Sequence, residues 1–501
     1  MTGLKQLKEL ASDSLIYGIS SVAARFINYL LVPFYTAYFN PDEYGIISLV
    51  FGTMIFLNVV FTFGMESAYL RYAADRDKAG SVFRTVQITV LLTGIMLGVI
   101  MILVKPLLSP LLSLQGSMGH IYWMMLGIVI LDALGAAPFA ELRLVRRSWL
   151  FASIRLINVL VNVALNLYLV IGRKWGIEAV FFSNLIASAL ATVWVTLATL
   201  KLWKGVFSKE ILWTALSFGL PYVPTGIGYA INEVLDRFFL KQMPASTVEH
   251  LYGPGMTADA VIGIYSACYK LAVFMLLFIQ MFRMAWQPFF LRHVDDPKAK
   301  ELFSSVFLYF NIIAGFMFLF VGLFAHEIVQ IKVPLLHASI INKRFWPGLF
   351  VVPWLMMAYW FQGWYVNFTA GIFIREKTRV LPFVTLCGAI VTIISNLILV
   401  PRIGMLGAAL ATLASYISMA ILIYYYSQKY YPVPYKMMRS LIIVAFTIVL
   451  VVLGNEKILP HVGIITTRFI LMFLGTGGLL FLLFYSQRRV ATKGFFRIFK
   501  K

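Results

Sequence analysis

The sequence predicts an all-α, polytopic membrane protein with about 14 transmembrane helices. Hydrophobic residues make up 61% of the 501 residues, the mean hydropathy is +0.85, and 13% of the residues are charged. Soluble domains carry roughly 25% charged residues, and a soluble fold could not bury this much apolar surface. The composition therefore excludes a soluble enzyme, a disordered chain and a disulfide scaffold.

The predicted helices follow one another with short connections. An α-helix needs about 20 apolar residues to cross the hydrocarbon core of a bilayer. Stretches that meet this condition lie at 13–39, 44–70, 82–104, 119–142, 151–172, 178–201, 211–240, 261–289, 302–330, 347–374, 379–400, 404–427, 439–456 and 461–486. Because their number is even, both termini lie on the same side of the membrane.

Basic residues indicate the orientation. The chain has 42 Lys and Arg against 21 Asp and Glu, a net charge of +21. With both termini in the cytoplasm, Lys and Arg are roughly three times as frequent in the inner segments as in the outer ones, which the positive-inside rule requires. We therefore attribute the basic excess to membrane topology, and we predict no nucleic-acid partner.

An internal repeat predicts the domain organisation. Gly45-Ile46-Ile47-Ser48 matches Gly263-Ile264-Tyr265-Ser266. The connection from Asn166 to Gly176 likewise resembles the one from Asn396 to Gly404, since each begins with Asn-Leu and ends with Gly before the next helix. The matches keep their order, so we predict two six-helix, pseudo-symmetric lobes at 1–206 and 207–430. Two extra helices and a basic cytoplasmic tail occupy 431–501. This architecture places a substrate cavity between the lobes.

Polar residues at helical spacing mark four of the predicted helices. An ionisable residue inside a membrane helix is costly and normally faces protein, water or a ligand. The sets are Ser21, Arg25 and Asn28 on helix 1; Asn58, Thr62 and Glu66 on helix 2; Arg155, Asn158, Asn162 and Asn166 on helix 5; and Thr225, Asn232 and Asp236 on helix 7. These faces predict the lining of a central cavity, with hydrogen bonding between helices as the alternative.

Depth within the membrane separates the charges further. Arg25 and Asp132 lie about halfway along helices 1 and 4, and Lys270 lies about a third of the way into helix 8. Two hypotheses for Arg25 remain open: a substrate contact, or a structural pair with Asp132. We expect Arg468 only to extend towards the membrane interface.

Acidic residues on or near the polar faces are candidates for coupling or gating. Glu66, Asp132 and Asp236 could each take up a proton on one side of the membrane and release it on the other. Asp236 could instead pair with a neighbouring cation, such as Arg237, and lock an outer gate.

The sequence contains no recognisable catalytic constellation. It has no Ser/His/Asp or Cys/His set, and its two cysteines, Cys268 and Cys387, lie in apolar runs without metal-ligand spacing. We therefore predict neither an enzyme nor a metal or cofactor site.

Motifs along the chain resemble those of one transporter family. They are Asn40-Pro41-Asp42-Glu43-Tyr44-Gly45, Gly64-Met65-Glu66 with Arg71-Tyr72, Leu220-Pro221-Tyr222-Val223-Pro224 with Asp236-Arg237, Gly263-Ile264-Tyr265-Ser266 with Tyr269-Lys270, and Pro401-Arg402-Ile403-Gly404 with Gly407-Ala408-Ala409-Leu410-Ala411-Thr412. In this order, over 12–430, the chain resembles the polysaccharide repeat-unit flippases. These form the Wzx-type (O-antigen transporter) branch of the multidrug/oligosaccharidyl-lipid/polysaccharide (MOP) exporter superfamily.

The resemblance implies a substrate, partners and a site. It implies that undecaprenyl-diphosphate-linked oligosaccharide moves to the outer leaflet of the plasma (inner) membrane by alternating access, for polysaccharide biosynthesis. A coupling ion, H⁺ or Na⁺, and the polysaccharide polymerase machinery are the implied partners. Arg25 and Lys270 match the family's intramembrane cations for the diphosphate, and Asn28, Arg155 and Asn232 complete the predicted substrate-binding set.

Two other functions remain open. A multidrug or other small-molecule exporter of the same fold would favour acidic residues in its cavity, and the basic Arg25 and Lys270 argue against it. A membrane polysaccharide polymerase or ligase would need a larger outer loop with basic catalytic residues. The longest outer segment, 241–260, offers only Lys241.

Overall fold

The computed structural model describes residues 31–334, 338–454 and 464–488. The first helix, α1, is described over 31–38. The helices that follow are α2 (Pro41–Thr62), α3 (Met65–Tyr72), α4 (Ala79–Leu111), α5 (Gly119–Leu144), α6 (Ser148–Leu167), α7 (Glu178–Ala198), α8 (Lys209–Gly219), α9 (Tyr222–Lys241), α10 (Ala245–Tyr252), α11 (Ala258–Arg292), α12 (Ala299–Gln330), α13 (Val352–Ile374), α14 (Val380–Tyr430), α15 (Met437–Leu453) and α16 (Ile464–Arg488).

Irregular elements are short. Two-residue strands, β1 (Lys332–Val333) and β2 (Ala338–Ser339), form a small sheet. Tight helical turns occupy Gly116–Met118, Leu200–Lys204 and Lys343–Val351, and a wider π-type turn at Tyr168–Gly172 extends α6.

The fold confirms the all-α membrane class. In the described part of the chain, eight helices are long and apolar enough to cross a bilayer, and α15 and α16 are shorter apolar helices. The spans predicted at 379–400 and 404–427 form α14, whose backbone is kinked at Ile403 and Gly404. The short helix α10 (Ala245–Tyr252) lies inside the segment 241–260, which was predicted as a connection without a helix.

Two predicted spans are broken rather than continuous. In the span 44–70, Phe63 and Gly64 adopt positive φ angles of 31° and 76° and separate α2 from α3. In the span 211–240, the chain breaks between α8 and α9 at Leu220-Pro221, where proline removes a backbone donor. A Cβ atom on Gly64 would lie 2.2 Å from the Gly219 carbonyl oxygen, so the two breaks meet and require glycine.

The N-terminus of α2 shows how local sequence begins a helix. The Asn40 side chain accepts a hydrogen bond from the Glu43 amide, and the Glu43 carboxylate accepts one from the Asn40 amide, both at 2.9 Å. Pro41 occupies the first helical position, where its missing N–H costs nothing. This capping box fixes the residue at which α2 starts. It therefore also fixes which α2 side chains face the helices packed against α2.

The chain divides into two compact units. The first contains the described residues up to Ala267, together with Val333–Phe345 and Gly388–Ala408. In it, α5 packs on α4, α6 and α7, while α2 packs on α5 and α9. Aromatic and aliphatic side chains of α5, α6 and α7 form a core cluster: Phe139, Leu142, Phe151, Ile154, Ala191 and Val195. The predicted boundaries of the two six-helix lobes stay a prediction.

The second unit contains Cys268–Lys332, Trp346–Cys387 and the described residues from Ala409 onwards. In it, α12 packs on α13, α15 and α16. Arg468 of α16 is buried and donates hydrogen bonds to the Glu327 carboxylate and the Gly454 carbonyl oxygen. The expectation that Arg468 only reaches the interface is therefore wrong, because its ion pair lies within the helix packing.

Candidate functional site

Four charged residues of the first unit form the charged cluster: Glu66, Asp132, Arg143 and Arg155. Glu66 of α3 and Arg143 of α5 form an ion pair. Arg155 of α6 lies within electrostatic reach of Glu66, Asp132 and Arg143. The cluster brings together three residues that were predicted separately, one as a substrate contact and two as coupling groups.

The breaks in the helices position the charged cluster. Because α3 begins at Met65, directly after the break, Glu66 lies in its first turn, where the helix dipole favours an acidic side chain. Arg143 lies in the last turn of α5, where the dipole favours a basic one. The two helix ends therefore hold their charges facing each other.

Arg155 is anchored by aromatic rings. Its guanidinium lies 4.1 Å from the centroid of the Phe139 ring and 5.8 Å from that of the Phe151 ring. Both rings belong to the core cluster of α5, α6 and α7. The Arg155 side chain is nevertheless exposed. An arginine placed over aromatic faces keeps its charge available, because the rings attract it without neutralising it.

Asp132 and Arg143 retain unused hydrogen-bonding capacity. Asp132 is exposed as a residue, and its carboxylate accepts a hydrogen bond from the Ser188 hydroxyl of α7 at 3.1 Å. The Nε atom of Arg143 is buried and has no partner among the described residues. The exposed members of the charged cluster, Asp132 and Arg155, can therefore make further polar contacts, as a binding site inside a membrane requires.

A second ion pair closes the end of α5 next to the charged cluster. The Glu141 carboxylate is buried and accepts hydrogen bonds from Tyr69 at 2.6 Å and from both terminal nitrogens of Arg76 at 2.7 and 3.1 Å. Those hydrogen bonds to Glu141 raise the pKa of the Arg76 guanidinium. This pair fixes the loop after α3 against the end of α5.

A contrasting region lies where α2 and α11 begin. A Cβ atom on Gly45 would lie 1.9 Å from the Asp259 carbonyl oxygen, and one on Gly263 would lie 1.9 Å from the Pro41 carbonyl oxygen. The two contacts are reciprocal, since each glycine occupies the same place in the repeated Gly-Ile-x-Ser motif. Glycine is required at both positions because the backbones touch.

Hydrogen bonds continue this contact one turn further along. The Ser48 hydroxyl donates to the Ser266 hydroxyl at 2.7 Å, and Arg237 Nε donates to both hydroxyls at 3.2 and 3.3 Å. Asp236 accepts from Arg237 Nη1 at 3.1 Å and from the Tyr265 hydroxyl at 2.6 Å. The Asp236 and Arg237 side chains are 4% and 8% exposed, so this charge pair is buried and compensated. We call Gly45, Ser48, Arg237, Gly263 and Ser266 the seam.

The other predicted site residues lie in different places. Asn232 is buried one turn before Asp236, and its side-chain oxygen accepts a hydrogen bond from Thr392 at 2.7 Å. Lys270 lies on α11 in the second unit and is half-buried. Arg25 and Asn28 lie outside the described residues, so both hypotheses for Arg25 stay open.

Several residues of the charged cluster and the seam were not among the predicted site residues. Arg143 pairs with Glu66, but it lies near the end of a predicted span, where a basic residue gives no separate signal of a site. Ser48, Tyr265 and Ser266 belong to the repeated motif. Their sequence positions alone do not indicate that Ser48 and Ser266 accept hydrogen bonds from Arg237, or that Tyr265 donates one to Asp236. In the described part of the chain, no three His, Cys, Asp or Glu side chains are placed to share a metal ion.

Comparisons with known proteins define the class. Residues 38–333 match the family model described as polysaccharide biosynthesis protein. The structure is similar to the lipid II flippase MurJ in an inward closed conformation, with a TM-score of 0.68 and 14% identity, over 95% of this chain and 100% of that one. An inward-facing multidrug resistance MATE transporter of the MOP superfamily is also similar, with a TM-score of 0.62 and 16% identity, over 86% of this chain and 96% of that one. No curated protein sequence matches the chain.

A third similar structure is a MOP superfamily transporter from Pyrococcus furiosus, described as having a binding pocket of reversed polarity. Its TM-score is 0.54, with 14% identity over 86% of this chain and 96% of that one. The fold is therefore that of the MOP transporters, and the protein is a multi-pass membrane protein. Because the family match spans more than half of its length, the chain belongs to the polysaccharide biosynthesis protein family.

Proposed function

We propose that the protein flips oligosaccharides linked to undecaprenyl diphosphate from the cytoplasmic to the outer leaflet of the plasma membrane by alternating access. The observation that carries the proposal is the charged cluster, in which the exposed Arg155 is the one charged residue of the membrane helix α6. Membership of the polysaccharide biosynthesis family supports the glycan, and the lipid substrate named for MurJ supports the lipid carrier. Transport makes and breaks no covalent bond, so the proposed protein is not an enzyme.

The chemistry of the charged cluster suits a diphosphate. A lipid diphosphate carries about two negative charges, and arginine binds phosphate oxygens through its planar fork of donors. Arg155 and Arg143 would supply these donors, with Arg25 and Lys270 as further proposed cations. Asn28 and Asn232 are proposed to bind sugar hydroxyls. The prenyl chain would stay in the lipid.

The acidic residues give the charged cluster its second proposed role. Glu66 and Asp132 currently balance the two arginines, so an arriving diphosphate would compete with them for the same donors. A carboxylate displaced in this way would bind H⁺ or Na⁺ more readily, since it loses its cationic partner. We propose these acids as the coupling groups, and Asp236 with Arg237 as gating residues.

Arginine variants test the proposal in vesicles that contain purified protein and lipid-linked oligosaccharide. Arg155→Ala should lose a contact of about 1.5–3 kcal/mol, or roughly ten- to a hundredfold in affinity. Arg155→Lys should be intermediate, because it keeps the charge and loses the fork. The matched control is Arg147→Ala, an exposed arginine before α6 whose side chain makes no capping bond. Unchanged flipping by a stably inserted Arg155→Ala would contradict the role of the charged cluster.

A multidrug exporter is the second candidate, because MATE transporters share the fold. Deletion of the gene should then raise sensitivity to cationic drugs and leave surface glycan unchanged. The proposed flippase instead requires loss of surface glycan without a change in drug sensitivity. A polymerase or ligase would leave flipping in vesicles unaffected, so the vesicle assay separates all three functions.

The proposed orientation has its own test. With both termini in the cytoplasm, cysteines placed in 241–260 should react with an impermeant maleimide from outside, and cysteines in 292–300 only from inside. Reversed accessibility would overturn the orientation and, with it, the direction of transport. The polymerase machinery remains a proposed partner, which co-purification from the native membrane would test.

A further inference from the structure

Outside the charged cluster, aromatic rings of α3, α8 and α9 form a continuous row within the first unit. The Tyr72 and Phe218 rings meet edge to face with 5.8 Å between their centroids, and the Phe218 and Tyr222 centroids lie 5.6 Å apart. The guanidinium of Arg71 lies 5.1 Å from the Phe218 centroid and 5.9 Å from that of Tyr72. We call Arg71, Tyr72, Phe218 and Tyr222 the aromatic platform.

The breaks in the helices position the aromatic platform. The contact between Gly64 and Gly219 joins the start of α3 to the end of α8 and leaves no room for a side chain on either residue. Phe218 lies directly before Gly219, so the contact that joins the two breaks also brings Phe218 alongside α3. Backbone packing therefore holds the rings together before any ligand arrives.

The aromatic platform carries polar groups that the protein itself does not use. In the described part of the chain, the Tyr72 and Tyr222 hydroxyls have no hydrogen-bond partner, and the exposed Arg71 has no ion-pair partner. Tyr69, one turn earlier on α3, provides the contrast, because it is buried and donates a hydrogen bond to Glu141. Aromatic rings with available hydroxyls suit a ligand that is apolar on one face and polar at its edge.

The exposed tyrosine face continues towards the middle of the predicted span 211–240. Tyr222, Thr225 and Tyr229 follow at steps of three and four, so they share one face of α9. Tyr222 and Tyr229 are 48% and 49% exposed. Tyr229 lies about 18 Å from the end of α9 at Lys241, too deep for the aromatic belt that tyrosines form at membrane interfaces. A phenol exposed at this depth is more stable against water or a polar ligand than against lipid.

From these contacts we propose that the aromatic platform binds a pyranose ring of the glycan that the lipid diphosphate carries. A pyranose has a face of C–H groups, which packs on an aromatic ring, and a rim of hydroxyls, which the tyrosine hydroxyls and Arg71 can bind. The aromatic platform thus distinguishes substrates by their sugar, whereas the charged cluster binds the diphosphate that all of them share.

This inference rests on the proposed function, because the short helix α3 connects the two sites. Glu66 of the charged cluster and Tyr72 of the aromatic platform are six residues apart on α3, about 9 Å along its axis. A substrate whose diphosphate lies at the charged cluster therefore has its first sugars within reach of the aromatic platform.

Ligands with and without a glycan test this division of roles. Binding to the purified protein is measured for undecaprenyl-diphosphate-linked oligosaccharide from the native membrane and for undecaprenyl diphosphate alone. Tyr222→Ala should weaken binding of the glycan-bearing lipid roughly three- to tenfold and leave binding of undecaprenyl diphosphate unchanged, since only the sugar loses a contact. Tyr222→Phe keeps the ring and should have a smaller effect. Arg71→Ala, which removes no packed ring, should also weaken only the glycan-bearing lipid.

The matched control is Trp213→Ala, which removes another exposed aromatic side chain of α8, five residues before Phe218 and on a different face of the helix. This control should bind both ligands as the unmodified protein does. The aromatic platform would be overturned if Tyr222→Ala and Arg71→Ala, with unchanged unfolding temperatures, bound both ligands normally or lost affinity for both equally. If the unmodified protein bound neither ligand, the proposed function would fail first, and the aromatic platform with it.

Discussion

The charged cluster and the seam hold their charges in opposite ways. At the seam, Arg237 and its neighbour Asp236 are almost fully buried, and both side chains have several hydrogen-bond partners. In the charged cluster, Asp132 and Arg155 are exposed, and Arg143 has a nitrogen without a partner among the described residues. The difference teaches that a satisfied, buried pair organises structure, whereas a partly satisfied, exposed set is available to a ligand.

The largest expected effect separates the two regions by stability. Asp236→Asn removes the carboxylate that pairs with the buried Arg237, which should lower the free energy of unfolding by about 3–5 kcal/mol. Combining it with Arg237→Gln removes both charges and should recover part of this loss. Thermal unfolding in detergent measures both variants. A fully stable Asp236→Asn would mean that the pair is not buried in the membrane-embedded protein.

A smaller loss of stability should follow from added volume in the seam. Gly45→Ala and Gly263→Ala each force a methyl group against a backbone carbonyl, and overpacking of this kind costs about 1–3 kcal/mol. The matched control is Gly94→Ala on α4, where an added Cβ would meet no atom within 4 Å. The seam variants should therefore lower the unfolding temperature while the control leaves it unchanged or raises it. Equal behaviour of all three would contradict the close backbone contact.

The order and extent of the helices could be predicted because the signal is local. Apolar length is a property of about 20 consecutive residues, and in the described part of the chain the structure places helices at these stretches. The breaks at Gly64 and Leu220 were not predicted. A break in an apolar helix is stable only where a neighbouring helix packs closely against it, and one sequence does not show which helices are neighbours. Gly64 breaks beside Gly219, a contact that depends on how two distant helices pack.

The residues of the charged cluster could be predicted better than their partners. Glu66, Asp132 and Arg155 stand out singly, because each is a charge within an apolar span. Their grouping depends on the rotation of α3, α5 and α6 about their axes, which one sequence does not specify. The repeated Gly-Ile-x-Ser motif indicated equivalence between two helices, but it gave no reason to expect that the two copies would touch.

A further prediction concerns Glu66, which pairs with Arg143 in a half-exposed position. Glu66→Gln should change stability by only about 0–1 kcal/mol, since an ion pair open to water contributes little. Flipping driven by an ion gradient should nevertheless fall, because the variant cannot exchange a proton. Unfolding temperature and gradient-driven flipping, measured on the same preparation, test this. A large loss of stability would place Glu66 with the seam rather than with the binding residues.

The smallest effect sharpens the account of Arg155 itself. Phe139→Leu keeps an apolar side chain but removes the ring that lies 4.1 Å from the guanidinium, a contact worth about 0.5–1 kcal/mol at exposed sites. Phe151→Leu is the matched control, because Phe151 belongs to the same core cluster and lies further from the charge, at 5.8 Å. Both variants lose similar packing, so the difference between them reports the effect of the ring on Arg155. We expect Phe139→Leu to weaken binding of the lipid-linked oligosaccharide more than Phe151→Leu does, while their unfolding temperatures stay close. If the two variants bind equally, the ring does not position Arg155, and its placement follows from the charges of Glu66 and Asp132 alone.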